Sequence, residues 1–564
     1  KLFIILIGLI TISSVLEMLG LAIIVPLINS FLEIETNTKE FNLSLFSNFL
    51  GFSNLSISTF LLIFITFFCF KTLFSIFVSW KHQDFIYTFI DKISFNLYAK
   101  YLSQDFKQYS LKNSSELMRN ILQEISLFSI YLQSFIQIIL ECIILLGIFI
   151  FLIYVLTIPT LITISFSIIV SIIYYLLVKK NLLTWGEHRQ RIEQDRITFM
   201  QEGFSSIKEI NFFNRNNFFV KRFKEKNKRF YQINKNFYFL NSIPRFIFEF
   251  FTVSTILIIL IYLILAEYSN EIIITVISLF LAASFRIIPS VYRIFISVQN
   301  LKYSTSSFNT LYNDYKNLSI KDEIFEPQNL NFEKKINLQV KEFHYNDDNK
   351  FRIENISLEI GKNQKIGIIG KSGSGKSTII DILAGILKDK SINLKVDDKP
   401  IESKNDQYHW QKKIGLIPQN ISILNETLRE NILFGLSSKQ FSDKEVLKSI
   451  ELSNLKNLLL KLPDGLDHKI KEKGLNFSGG ELQRIGIARA LVFNPEILIF
   501  DEATSALDTF TENEILKDIN SLKSKTIIMI SHRMNTLKYC DKIYLIDKGK
   551  IKDNGSYDKF NEKY

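Results

Sequence analysis

Apolar residues are gathered into long runs in the first 300 residues and into short, interrupted ones after that. Six runs, about 2–32, 57–80, 127–154, 157–178, 246–266 and 271–299, each reach about 20 mostly apolar residues, the length a helix needs to cross about 30 Å of hydrocarbon. A single run would fit a buried core helix or a signal peptide; six predict a helical membrane domain. The first is too long for a signal peptide and lacks a small-residue cleavage site. The chain opens on Lys1 rather than Met, so an N-terminal piece is expected to be missing. From about residue 325, short β-rich runs alternate with amphipathic helical stretches and Gly turns, a pattern that predicts an α/β domain with a largely parallel sheet. The predicted division is a membrane domain at 1–315, a linker at 316–336 and a second domain at 337–564.

The connections between runs give the orientation. Those at 81–126 and 179–245 are basic, the second carrying Lys221, Arg222, Lys224, Lys226, Lys228 and Arg229, whereas 33–56 holds Lys39 against Glu33, Glu35 and Glu40. Basic connections stay in the cytoplasm, which places the second domain there too and assigns much of the +11 net charge to juxtamembrane surface facing anionic lipid. No base-reading motif accompanies the charge, so no nucleic acid partner is expected. The two basic connections contain almost no Gly or Pro and are predicted to be helices that leave the membrane and return. Their polar bends, near Lys112–Glu116 and Glu202–Ser206, are suited to dock another domain. Composition adds exclusions: 47% hydrophobic residues with only 21 Gly and 9 Pro rule out disorder, and three cysteines rule out a disulfide scaffold.

Candidate chemistry is concentrated after residue 365. The strand-like Lys365–Ile369 runs into Gly370–Thr378 and then a helical stretch, which is G-x-x-x-x-G-K-[ST] in its required setting of strand, loop and helix. Backbone N–H groups of such a loop, with the helix N-terminus behind them, cradle phosphates. Gly370, Ser372, Gly373, Gly375 and Thr378 are the cradle residues, Lys376 is to reach the β- and γ-phosphates and Ser377 is to bind Mg²⁺. A second apolar strand, Ile497–Phe500, ends in Asp501 and Glu502: the first suits Mg²⁺, the second a general base toward water.

Between these lies Phe477-Ser478-Gly479-Gly480-Glu481-Leu482-Gln483-Arg484, which resembles the signature motif of ABC ATPases, usually LSGGQ. Gln419 resembles that family's Q-loop residue, Asp508 in Ser505–Asp508 its D-loop, His532 its switch histidine and Tyr345 the aromatic that stacks on adenine. Asn425–Gly435, Leu462–Leu466 and Glu472 resemble its exporter branch. The resemblance implies an α-helical six-span membrane domain of the ABC exporter type joined to an α/β P-loop ABC ATPase domain. It implies ATP and Mg²⁺ as cofactors, with Gln419 helping to hold Mg²⁺ and His532 touching the γ-phosphate. It also implies a homodimer in which Ser478 and Gly480 close over the partner's ATP and Asp508 links the two sites; the second cytoplasmic bend would dock on the partner's ATPase domain. Phe477 and Glu481 depart from the usual Leu and Gln, and Leu387–Asp398 lacks the Pro and Gly usual there, which leaves one turn unassigned.

Cations inside spans are costly and usually functional. Lys71, Arg245, Arg286 and Arg293 are candidate substrate residues; Arg286 and Arg293 share a helix face about 10 Å apart. Either they line a cavity for a phosphate or pyrophosphate, or they pair with Glu17, Glu141 or Glu249, or snorkel. Phe41, Leu45 and Phe49 suggest a short outer helix, for a lipid tail or for packing on the bundle. Leu16–Gly20 with Pro26, Ile243–Arg245 and Phe285–Arg293 resemble lipid-linked oligosaccharide flippases of the PglK type. That implies a polyprenyl-pyrophosphate-linked glycan as substrate and a multi-pass protein of the bacterial inner membrane. Two alternatives stay open: an exporter of general lipids, lipid A, peptides or drugs, and a non-transporting ABC ATPase.

Overall fold

The computed structural model describes residues 2–32, 57–155, 157–318, 330–345, 352–437, 440–470, 477–504, 509–522 and 524–561. The outer connection with Phe41, Leu45 and Phe49, the D-loop with Asp508, Glu472, and the side chain of Pro26 lie outside the described residues. Two compact units form: residues 1–104 with 112–320, and residues 105–111 with 321–564.

The first unit is helical. Its elements are α1 (Leu2–Leu32), α2 (Ile57–Leu102), then, past the segment 105–111 with its single turn α3 (Phe106–Tyr109), α4 (Ser114–Arg119), α5 (Ile125–Val155), α6 (Thr157–Ser205), α7 (Ile207–Phe212), α8 (Asn216–Leu265) and α9 (Asn270–Asn317). Six of these are long and apolar enough to cross a membrane. Helices of 46, 49, 50 and 48 residues run about 70 Å at 1.5 Å per residue, twice the hydrocarbon thickness, so the basic connections are continuations of the spans. α5 and α9 form the centre: Ile144, Ile148 and Leu152 pack with Ile259, Leu263, Val276 and Phe280. Leu6 and Ile10 of α1 pack with Val78, Ile86 and Ile136.

Between α4 and α5 the helix widens into one π turn, Asn120–Glu124, whose Asn120 and Glu124 are fully buried. Such turns are rare and cluster at functional places. Arg189 of α6 donates to Glu124 Oε2 at 2.9 Å and to Ser307 Oγ of α9 at 3.1 Å. The approach depends on Gly186, where a Cβ would stand 2.3 Å from the Tyr303 carbonyl; without a side chain there α6 and α9 touch, and Arg189, one turn on, reaches Ser307.

Two expectations about the connections need correction. The first bend lies at 103–113, not at Lys112–Glu116, because the Asn113 side chain accepts from Ser115 N and starts α4 there. The second lies between Ser206 and Arg215, around α7. The basic cluster Lys221–Arg229 sits in the first turns of α8, about 24–36 Å along the helix from Arg245, several Debye lengths away. It belongs to the polar continuation of α8 rather than to the end of its apolar span.

The second unit is α/β. A six-stranded sheet has the order β10-β9-β3-β8-β7-β6, built from β3 (Lys365–Ile369), β6 (Ile414–Ile417), β7 (Ile497–Asp501), β8 (Thr526–Ile530), β9 (Lys542–Asp547) and β10 (Lys550–Gly555). Only β10 is antiparallel. A second, antiparallel sheet, β2-β1-β4-β5, is built from β1 (Lys335–Phe343), β2 (Ile353–Gly361), β4 (Ile392–Val396) and β5 (Lys399–Pro400); this sheet is additional to the parallel one expected. The helix α10 (Lys376–Leu383) packs Ile379, Ile380, Ile382 and Leu383 into the core between them. The unassigned turn is made by Asp397 and Asp398, both in the left-handed conformation where glycine is usual. Asp397 compensates by accepting from the backbone N–H groups of Lys334 and Lys335 at 2.7 and 2.8 Å.

Candidate functional site

In the parallel sheet the C-terminal ends of four adjacent strands bring the motif residues together. Ile368 of β3 pairs with Ile530 of β8, Ile530 with Asp501 of β7, and Phe500 with Ile417 of β6. The next residues out are therefore the loop at Gly370, His532, Glu502 and Gln419. Ligands of open α/β sheets bind at these strand ends.

The loop after β3 turns on glycines that nothing else replaces. A Cβ on Gly370 would meet the Ile546 carbonyl at 2.2 Å, and Gly375, the residue before α10, sits at φ 101°. Ser372 and Gly373 are on the exposed rim, and Lys376 curls under it, its Nζ donating to the Gly370 and Lys371 carbonyls at 3.0 and 3.1 Å. Ser377 Oγ donates to Asp501 Oδ1 at 3.1 Å. Burial holds the Lys376 ammonium below the ordinary lysine range, moderated by Glu502 and Asp501. Burial pushes the Asp501 carboxyl up, moderated by the Ser377 hydroxyl. Each charge thus gains from a partner of opposite sign: a phosphate for Lys376, a cation for Asp501. With the Ser377 hydroxyl, the Asp501 carboxylate and the Gln419 amide, the donor set is hard oxygen, which fits Mg²⁺.

Glu502 is held from two sides. Gln419 Nε2 donates to its Oε2 at 2.9 Å, and His532 Nε2 lies 2.6 Å from its Oε1. Its backbone is left-handed, φ 51°, with its N–H donating to the Ile530 carbonyl. A non-glycine residue in that conformation is strained and typical of a site that needs its side chain aimed. Tyr345 shares a hydrogen bond with Thr378 at the start of α10, so the aromatic ring stands beside the loop, and burial raises its hydroxyl pKa.

Ser478 caps the helix α11 (Gly479–Leu491) in a capping box. Its hydroxyl donates to Glu481 Oε2 at 2.9 Å and accepts from Glu481 N at 3.2 Å. Glu481, the departure from Gln, thereby closes the box and leaves Gly480 in the first turn. Two residues escaped the sequence reading. Asp381, in the second turn of α10, is pushed up to about 6 by burial and then by Asp501. Its signal was an acid on the same face as Ser377, four residues on. Arg489 donates to the Asn431 and Ser422 carbonyls, both at 3.0 Å, and burial pulls it down to about 10; the Arg between two Ala in α11 marked it.

The four candidate cations Lys71, Arg245, Arg286 and Arg293 are each paired. Lys71 Nζ is 2.8 Å and Arg286 Nε 3.5 Å from Glu17 Oε2. Arg293 bonds Glu141, which also accepts from Gln137 at 2.9 Å. Arg245 pairs with Glu249 at 2.8 Å on an exposed helix surface. Of the alternatives left open by the sequence, pairing with carboxylates is the one observed: Arg286 and Arg293 share a helix but not a partner, and Arg245 joins neither.

Two family profiles match the chain: one described as ABC transporter, over residues 353–505, and one described as ABC transporter transmembrane region, over residues 3–287. The chain is 35% identical over 284 residues to the mitochondrial iron-sulfur clusters transporter of Saccharomyces cerevisiae, which is 49% of this chain and 39% of that protein. It is 36% identical over 212 residues to an ABC transporter of Toxoplasma gondii, 37% of this chain and 18% of that one. The matches thus span well under half the length of these relatives. A solved bacterial Atm1-family ABC exporter with ATP bound superposes with a TM-score of 0.81 at 18% identity, over 100% of this chain and 96% of that one; at that identity the likeness is one of fold.

Proposed function

Because the chain belongs to the ABC transporter family, with a six-helix transmembrane region and an ABC ATPase domain, we propose that it is one half of an ATP-driven exporter. It works as a homodimer in a bacterial inner membrane, with its ATPase domain in the cytoplasm. The observation that carries the reading is the meeting of four strand ends around Lys376, Ser377, Asp501, Glu502, Gln419 and His532.

These residues divide the work of splitting ATP and water into ADP and phosphate. The loop N–H groups and Lys376 bind the phosphates, with the α10 N-terminus behind them. Tyr345 offers a ring to adenine. Mg²⁺, when bound by Ser377, Asp501 and Gln419, neutralises phosphate charge. Glu502, positioned by Gln419 and His532, accepts the proton of the attacking water. Ser478 and Gly480 serve the partner's nucleotide, and Asp508 the link between sites. ATP held between two domains favours the closed pair, and its loss on hydrolysis releases it.

For cargo, the finer reading is a polyprenyl-pyrophosphate-linked oligosaccharide or similar glycolipid. Lys71 and Arg286 together carry two positive charges against one on Glu17, which supports an anionic headgroup near Lys71, Arg286 and Arg293. The name of the yeast relative favours a second reading, an iron-sulfur species. The test is Mg²⁺-dependent ATP hydrolysis in nanodiscs across pyrophosphate-linked glycans, phospholipids and a thiol-bound iron-sulfur compound. Stimulation by the glycans that Arg286→Ala/Arg293→Ala abolishes supports the finer reading; stimulation only by another class replaces it, and absence of hydrolysis refutes the exporter.

A further inference from the structure

Segment 105–111 interrupts the helices of the membrane unit yet groups with the ATPase unit. Within that unit Lys107 pairs with Asp389 at 2.9 Å, and its Nζ lies 5.1 Å from the centre of the Phe343 ring. Despite its burial, the hydrogen bonds from Lys107 and from Ser391 hold the Asp389 carboxyl below its ordinary range.

The residues flanking this segment converge on one carboxylate. On the upstream side, the Tyr101 hydroxyl donates to Asp314 Oδ2. On the downstream side, Lys112 Nζ is 3.4 Å from Asp314 Oδ1, and Asn120 Nδ2 donates at 3.0 Å both to Asp314 Oδ2 and to the Tyr101 hydroxyl oxygen. The neighbouring residues repeat the tie, Lys100 donating to the Tyr315 carbonyl. Tyr101 and Asn120 are buried, and Lys112 closes the group on its exposed side. Burial, reinforced by Asp314, raises the Tyr101 pKa far above its ordinary value, so the hydroxyl remains a donor at any physiological pH. One carboxylate with about four lone-pair sites thus takes three donors from the two sides of the loop.

Asp314 stands three residues before the end of α9, the helix that carries Arg286 and Arg293 and is continuous from Asn270 to Asn317. Arg293 lies about 32 Å up the same helix from it. A displacement of segment 105–111 therefore reaches α9 at Asp314, with no proline between it and Arg293 and Pro289 between it and Arg286.

We propose that Asp314 is the positioning residue that makes the membrane helices follow the ATPase domain. It touches neither nucleotide nor cargo; it sets whether closure at one end moves the other. The proposal rests on the homodimeric exporter reading. Its test reads motion rather than transport, so an error in the cargo leaves it intact.

The experiment uses the full chain in nanodiscs with Cys69, Cys142 and Cys540 replaced by Ala. Spin labels are placed at Leu265, at the outer end of α8, or at Leu460, on the ATPase unit, both exposed. Distances between the two copies are measured with and without ATP and Mg²⁺ in a Glu502→Gln background, and hydrolysis is measured without that change. Asp314→Asn is expected to keep hydrolysis within about threefold and to keep the ATP-dependent change at Leu460, while losing most of the change at Leu265; Asp314→Glu restores part of it. An unchanged response at Leu265 overturns the proposal. If Asp314→Asn loses both responses through misfolding, Lys112→Ala at the exposed side decides. A reduced Leu265 response supports the joint, and a wild-type one rejects it. Should the wild-type protein show no paired distances at all, the homodimer fails and not the joint.

Discussion

In the ATPase unit the reactive side chains hang from four neighbouring strand ends, and each is aimed by backbone geometry before any ligand arrives. In the membrane unit the charged side chains come from separate long helices, and they aim one another. The first arrangement survives the loss of a side chain, because β3, β6, β7 and β8 stay registered through main-chain hydrogen bonds. The second does not: Glu141 is almost wholly buried, and removing it leaves Arg293 without its carboxylate. Chemistry that must be precise is carried on sheet edges, and charge that must be tolerated in lipid is carried as pairs.

The largest expected effect tests the first half of that contrast. Glu502→Gln keeps the Gln419 side and the fold, so nucleotide binding persists while hydrolysis falls by about 10²-fold or more. Nucleotide fluorescence beside phosphate release checks this, and normal turnover would remove Glu502 as the base.

The second half predicts a fold that depends on its charges. Glu141→Ala is expected to destabilise the membrane unit by about 2–3 kcal/mol, since a buried pair loses one member. Arg245→Ala, at an exposed pair, is expected to leave the unfolding temperature almost unchanged. Thermal unfolding in detergent ranks the two; equal effects would mean that burial is not what matters.

A smaller effect lies inside the ATPase unit, at a half-buried carboxyl that has no ion pair among the described residues. Asp381 has a folded pKa of about 6 against an ordinary value of 3.8. The folded state therefore binds the proton more tightly, and stability falls as pH rises from about 4 through about 6, the cost being fully present at pH 7. Asp381→Asn removes the charge and should stabilise the ATPase transition at pH 7 by about 1–2 kcal/mol after solvent screening, with no gain at pH 4. A gain that does not vary with pH would show that ionisation is not its source.

Legibility followed the same divide. The strand, loop and helix at Lys365–Leu383 and the strand ending at Asp501 could be read because each motif fixes residue types at short spacing. The six spans could be read because hydrocarbon thickness imposes length. The partners of Lys71 and Arg293 could only be offered as alternatives, since helix packing brings Glu17 to Lys71 and Glu141 to Arg293 and no local pattern links either pair. The place of the first bend was missed for a local reason: Asn113 acts as a cap, and Lys112–Glu116 reads equally as turn or as helix start. The antiparallel sheet escaped because β1 and β2 were not separated from the parallel pattern, and the turn between β4 and β5 because aspartates stand in for glycine.

The π turn at Asn120–Glu124 carries a further consequence. One added residue advances the phase of a helix by about 100°, so the side of the rod that meets Gln194 and Thr198 below the turn is rotated away from the side that meets Leu6, Ile10 and Val78 above it. A single rod thereby presents a polar flank to α6 below the turn and an apolar flank to α1 and α2 above it. Removing one residue at the exposed Leu122 would realign the flanks and turn one of them away from its partner helix.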